Sequence, residues 1–339
     1  MRYHKSVLLT LILSFGIAAF PAKLRQVAMV DLPGEPGFNE VAIANGQVVI
    51  SRPATNTIEI FSPVKRRVVA RISQVQDPRG IAVDDDAARV YIALAGSNSI
   101  AVINSRNWQV EKLIPVQHRP EKLLWVPETK TLYSSSVLNR SISIVDPLAG
   151  TETALADLNA LPEDMIYDPA RQQLFVSLQD AGEIAAIDRS NKVVNRFKLR
   201  ASEPTGLALD SARRRLYVAV RYAVLSLNAD TGAELNRIPA PGGTSTLIID
   251  PDRNLLYAAG GDGSVLAIDL TRNIVDHELP TDVKGYSIAF DPSHKMLFMP
   301  GGREGRSKMV ILTPTAMADQ ARPQTAENPP SAAQTAMRK

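Results

Sequence analysis

Short apolar strands separated by polar turns repeat seven times along this chain. The clearest unit is EPTGLALDSARRRLYVAV at 203–220: a turn, an apolar strand (GLALD, 206–210), a polar hairpin turn (SARR), and a second strand (RLYVAVR, 215–221). A third strand, VLSLN at 224–228, and a fourth, ELNRIPA at 234–240, complete it. The same order recurs at 77–116, 120–150 and 162–190, and more loosely at 246–270 and 287–312. Pro36, Pro78, Pro120, Pro162 and Pro204 stand 42 residues apart without a slip. A period near 40 with four strands per unit is the signature of a propeller blade. The pattern therefore predicts an all-β, seven-bladed β-propeller of four-stranded antiparallel blades. Its blades fall at about 36–74, 78–116, 120–158, 162–199, 204–240, 244–280 and 285–313.

The last copy supplies only three strands, around 287–291, 296–300 and 309–313, before a tail at 314–339 that lacks alternation. An orphan, LRQVAMVDLP at 24–33, precedes the first full copy. The expectation is that this N-terminal segment forms the outer strand of the seventh blade, closing the ring and hiding an edge that would invite self-association. First strands are nearly continuous in apolar residues (IAV at 81–83, LAL at 207–209, LII at 247–249), as suits strands packed between neighbouring blades. Asp84, Asp168, Asp210, Asp250 and Asp291 each lead the first hairpin turn, three of them followed by Pro169, Pro251 and Pro292. Repeated in register, they read as turn residues that accept backbone hydrogen bonds rather than as metal ligands.

Composition then narrows the setting. A basic start, MRYHK, precedes the apolar run VLLTLILSFGIAAF at 7–20, shorter than the ~20 residues that span a bilayer. Residues 1–22 read as an export signal, with an uncleaved N-terminal anchor or a buried strand as alternatives, and this points to a periplasmic or secreted protein. The propeller is expected over 23–315 and a disordered tail over 316–339. Arg2 and Lys5 of the leader account for two units of the net charge of +3, so the basic balance says little about nucleic acid. Aromatic content is 5% and the basic residues are scattered. With only Tyr222 and Tyr286 as plausible stacking platforms, nucleic acid is not expected as a partner. There is no cysteine, which excludes disulfides, thiolate catalysis and c-type haem attachment. Packing and ring closure must hold the fold, and a monomer is expected.

The strings LYVAV at 216–220, RVYIALAGSNSIAVIN at 89–104 and the GIAVD and GLALD strand starts resemble the YVTN-type β-propeller repeat family, including exported bacterial proteins of the YncE-like group. The resemblance covers about 24–313 and is carried by blade-core residues, so it bears on fold and not on activity. It departs in blade one (VVIS, 48–51), in blade three (YSSS, 133–136) and in blade five, whose turn at Tyr222 is very short. It implies a periplasmic or extracellular scaffold. A single-stranded-DNA role attached to the YncE-like group needs a matching surface before it carries over.

Propeller ligands occupy the funnel framed by the loops leading into the first strands and by the hairpins joining second and third strands. The residues expected to bind a ligand there are Arg79, Arg119, Glu121, Lys122, Glu163, Arg221, Tyr222, Lys284 and Tyr286, with Asn39, Asp164 and Thr205 in the same loops. His118, His277 and His294 fall in a lead-in turn, an outer strand and an opposite-rim turn, too dispersed to meet on one metal. The expected function is a non-catalytic scaffold binding an envelope protein, a peptide or a small polar ligand at the funnel mouth, without a cofactor. The alternative is a metal-dependent hydrolase of the lactonase type, with Glu40, Glu121 and Glu163 as oxygen ligands for calcium.

Overall fold

The computed structural model describes residues 22–316. The expected leader and tail lie outside the described residues, apart from Ala22 and Ala316 at the ends of paired strands. Among the described residues twenty-eight strands form seven four-stranded sheets, every neighbouring pair antiparallel. In six sheets the strands lie in chain order. In the seventh the order is Ala22–Asp31, Arg306–Ala316, Met296–Arg303, Ala289–Asp291. The molecule is a seven-bladed β-propeller whose N-terminal strand closes the ring.

The closing strand is registered from Ala22 opposite Ala316 to Asp31 opposite Lys308, with one bulge between Gln26 and Ala28. It begins and ends two residues earlier than the sequence pattern suggested. Leu32 donates its N–H to the Ser307 carbonyl at 2.9 Å, and Pro33, with no N–H, cannot carry the ladder further. Leu24 is buried beside Tyr257 and Leu312, and its N–H donates to His277 Nδ1 at 3.0 Å. Arg52, 1% exposed at its side chain, fixes the far end of the seam. It pairs with Glu59 at 2.9 Å, reaches Ser307 Oγ at 3.2 Å, donates to the Pro33 and Glu35 carbonyls, and lies 4.7 Å over the Phe38 ring.

The apolar runs of the sequence become cores between blades. Tyr91, Tyr217 and Tyr257, the tyrosines of the repeat, are at most 1% exposed. The recurring aspartates do cap turns: Oδ1 of Asp84, Asp168, Asp210, Asp250 and Asp291 each accepts an N–H two or three residues on. Asp168 does more, gripping Arg214 of the next blade through two hydrogen bonds of 2.7–2.8 Å.

One local irregularity positions the functional rim. Where the first strand of blade one begins, two residues face one on the second strand: Asn39 donates to the Ser51 carbonyl while Ser51 donates back to the Glu40 carbonyl. The arrangement repeats with Glu121 and Lys122 opposite Ser135, and with Thr205 and Gly206 opposite Ala219. Such bulges bend a strand and re-aim its side chains. Here they turn one residue of a blade toward the propeller axis.

Candidate functional site

The loops leading into the first strands and the second-to-third-strand hairpins meet on one rim, as when Ala95 and Gly96 donate to the carbonyls of Asp77 and Gln76. At the axis on this rim lies a cavity of about 270 Å³ lined by Asn39, Arg119, Glu121, Lys122, Val137, Glu163, Asp164, Thr205, Gly206, Ser245 and Tyr286. Of the bulge residues, Lys122, Asp164 and Gly206 line it, and Glu40 reaches it through its contact with Lys122. The glycines let the backbones close in. A Cβ on Gly80 would lie 2.6 Å from the Glu121 carbonyl, and one on Gly206 would lie 2.2 Å from that of Ser245.

Two charge groups share the mouth. The outer one is a closed ring of four: Asp77 holds Arg79 at 2.7 Å and Arg119 at 2.5 Å, and Glu121 takes the same two arginines at 3.2 and 3.3 Å. Burial pushes the Asp77 carboxyl up, but the two guanidinium hydrogen bonds outweigh it and hold it below the usual carboxylate range. The ring is self-neutral. The inner group is not. Lys122 sits 3.4 Å from Glu40, and the field of Asp164 and Glu163 also acts on it. Burial pulls the Lys122 ammonium down, yet the three carboxylates outweigh that and hold its pKa above the ordinary value.

Against this one cation stand three acids. Burial is the leading cause that raises Glu40, Glu163 and Asp164 above their ordinary pKa, and Lys122 only partly offsets it. Glu40 and Asp164 each accept an N–H from the following blade, Ile81 at 3.2 Å and Leu207 at 2.8 Å. Among the described residues the Glu163 carboxylate has no hydrogen-bond or ion-pair partner. The inner group therefore holds more acid than base, on half-buried side chains.

A second and larger concavity, about 820 Å³, adjoins the first and shares Asn39 and Tyr286 with it. It runs between the lead-in of blade one (Pro36–Asn39) and blade seven (284–287 and 300–305). Its wall is the hairpin of Met296–Arg303 and Arg306–Ala316, which is longer than the other blades' hairpins.

Of the residues expected to bind, Arg119, Glu121, Lys122, Glu163 and Tyr286 line the axial cavity, and Arg79 joins its ion-pair ring. Lys284 lines the adjoining groove instead. Arg221 and Tyr222 line neither. Arg221 pairs with Glu203 at 3.1 Å, and Tyr222, at φ 65° in a two-residue turn, lies against Gly242. Tyr222 and Tyr286 are exposed, at 66% and 43%. The calcium alternative lacks a ligand set. Among the described residues no three His, Cys, Asp or Glu side chains are grouped to hold a metal, and Glu40 and Glu121 face Lys122 and the arginines. His118, His277 and His294 do not meet either; His294 instead bonds Asp291 at 2.7 Å.

Two features were not singled out from sequence. Asp77, which organises both arginines, reads as one more turn residue before Pro78. Aligning the repeats would have exposed it. Asp77 and Arg119 each precede the blade proline, Arg79 and Glu121 each follow it, and Lys122 and Asp164 share the next position, each of these pairs opposite in sign in adjacent blades. The other feature is a buried serine beneath each charged bulge residue, taken up below.

No protein-family model matches the chain, and no curated protein matches it. Among solved structures, the Kuenenia stuttgartiensis hydrazine synthase is similar to it with a TM-score of 0.73 and 16% sequence identity. The match covers 85% of this chain and 97% of that one. At this identity the likeness is one of fold: the chain is a seven-bladed β-propeller, distantly related in structure to other propeller proteins.

Proposed function

We propose that this protein is a non-catalytic binding module whose ligand places an organic cation, a guanidinium or ammonium group, in the axial cavity. We read it further as an exported, monomeric relative of the YVTN-type propellers that meets its ligand, a peptide side chain or a small amine, in the cell envelope. The observation that carries this reading is the charge balance of the inner cavity: Lys122 against Glu40, Glu163 and Asp164, with Glu163 unpartnered. The outer arginines are already neutralised by Asp77 and Glu121, so they leave no free positive field for an anion. A half-buried carboxylate without a partner carries part of the desolvation cost, and an incoming cation that pairs with it offsets that part. A rigid scaffold presenting a few loop side chains is also how propellers and other loop-bearing folds build sites.

Titration calorimetry with n-butylguanidinium and its neutral isostere n-butylurea tests the proposal. The cation is expected to bind and the urea to bind far more weakly, with affinity rising as pH rises through the elevated carboxyl pKa values. Equal binding of the two probes, or a preference for butyrate over both, would overturn it.

A further inference from the structure

The bulge that aims a residue at the axis leaves a backbone N–H to be satisfied. The carbonyl opposite takes the first N–H of the pair, at 3.1 Å from Asn39 and 2.7 Å from Glu121. The second N–H belongs to the residue that enters the cavity. In blades one, three and four it donates to a serine hydroxyl on the second strand: Glu40 to Ser51 Oγ at 3.0 Å, Lys122 to Ser135 Oγ at 3.1 Å, Asp164 to Ser177 Oγ at 2.9 Å. All three serines are 0% exposed. In blades two, five and six the corresponding second-strand residue is Ala93, Ala219 or Ala259, and the bulge residue is Gly80, Gly206 or Thr246. Gly80 sends its N–H across to Glu121 of the next blade instead. Serine and a charged bulge residue thus occur together, and alanine accompanies an uncharged one.

We propose that Ser51, Ser135 and Ser177 are positioning residues that fix the direction in which Lys122 and Asp164 enter the axial cavity and Glu40 meets Lys122 at its edge; the inference rests on reading that cavity as the binding site. Anchoring the bulge N–H stops the peptide from rotating, and rotation at that point would swing the attached side chain across the cavity. Ser177 ties two blades at once, because its hydroxyl also donates to the Thr205 carbonyl at 2.6 Å. A charge interaction varies inversely with separation, so a shift of an ångström in aim changes the titration of the whole group.

The test uses the full chain and two readouts. Ser177→Ala and Ser135→Ala are accommodated by the fold, since alanine occupies this place in three blades. Carbon-13 NMR titration of the Asp164 and Glu40 carboxyl groups is expected to give displaced midpoints in both variants. The conservative Ser177→Thr restores the parent midpoint. Ser226→Ala, equally buried but on the third strand of its blade and opposite no lead-in residue, leaves it unchanged. Affinity for n-butylguanidinium is expected to weaken roughly 2–10-fold in the alanine variants, the effect of one lost hydrogen bond. Midpoints and affinity unchanged in Ser177→Ala would overturn the proposal, leaving the serines as packing. If the parent itself does not bind the cation, the binding reading fails while the midpoints still decide the positioning role.

Discussion

Replacing Arg52 by methionine removes the charge that locks the seam while keeping an unbranched side chain of similar reach. In the parent, Arg52 and Glu59 are 1% and 0% exposed, and the guanidinium joins blade one, blade seven and the loop after the closing strand. Breaking a buried pair by deleting one partner costs about 3–5 kcal/mol, because the other charge stays buried. Arg71, 2.6 Å from Glu59 and 43% exposed, still reaches the carboxylate, which places the cost at the lower end, about 3 kcal/mol. The Pro33 and Glu35 carbonyls lose their donor, adding roughly 1 kcal/mol. At this chain length a kcal/mol corresponds to about 2 °C, so Arg52→Met should melt about 6–10 °C below the parent. Adding Glu59→Leu should recover part of the loss, since Arg52 Nε and Glu59 Oε2 lack partners even in the parent. Differential scanning calorimetry of the three proteins decides the matter. A single variant melting within about 2 °C of the parent, or a double variant worse than the single, would refute the latch.

Glu163→Gln should raise stability at neutral pH by about 0.5–2 kcal/mol in denaturant titrations while weakening n-butylguanidinium, the pattern of a site that trades stability for binding. The sign follows from the raised carboxyl: its ionisation penalises the folded state as pH climbs above 4.5, so the advantage of the glutamine should shrink on acidification. Gly206→Ala puts a methyl 2.2 Å from the Ser245 carbonyl and should cost about 1–3 kcal/mol, read from the denaturation midpoint. His277 accepts from Leu24 and its pKa is lowered by burial and then by Lys23, so its contribution is complete above 6.5 and declines as pH falls below it. Hydrogen exchange at Leu24 should therefore quicken between pH 7 and 5 in the parent relative to other strands, and that extra sensitivity should vanish in His277→Phe.

The fold was legible because a blade repeats its chemistry. Prolines at a fixed interval, buried tyrosines and turn aspartates each say the same thing several times, and a missing last strand beside an orphan first one specified the closure. The exact end of that strand was not legible, since it depends on where Ser307 and Arg52 meet the chain in space. The site was only partly legible. Loop position brought Arg119, Glu121, Lys122 and Glu163 to notice, but which charges neutralise one another depends on contacts between blades. Arg221 and Tyr222 belonged to the right class of loop, yet from the two-residue turn Arg221 pairs with Glu203 and Tyr222 lies against Gly242, and neither lines the cavity. The serines were hidden because their meaning lies in what stands opposite them.

A crystal structure of the protein with n-butylguanidinium tests the central claim most directly. The account predicts the guanidinium in the axial cavity, its nitrogens within about 2.7–3.2 Å of the Glu163 and Asp164 carboxylates, with the ring of Asp77, Arg79, Arg119 and Glu121 intact. A cation found only in the groove between blades one and seven, or an empty axial cavity at saturating probe, would contradict it.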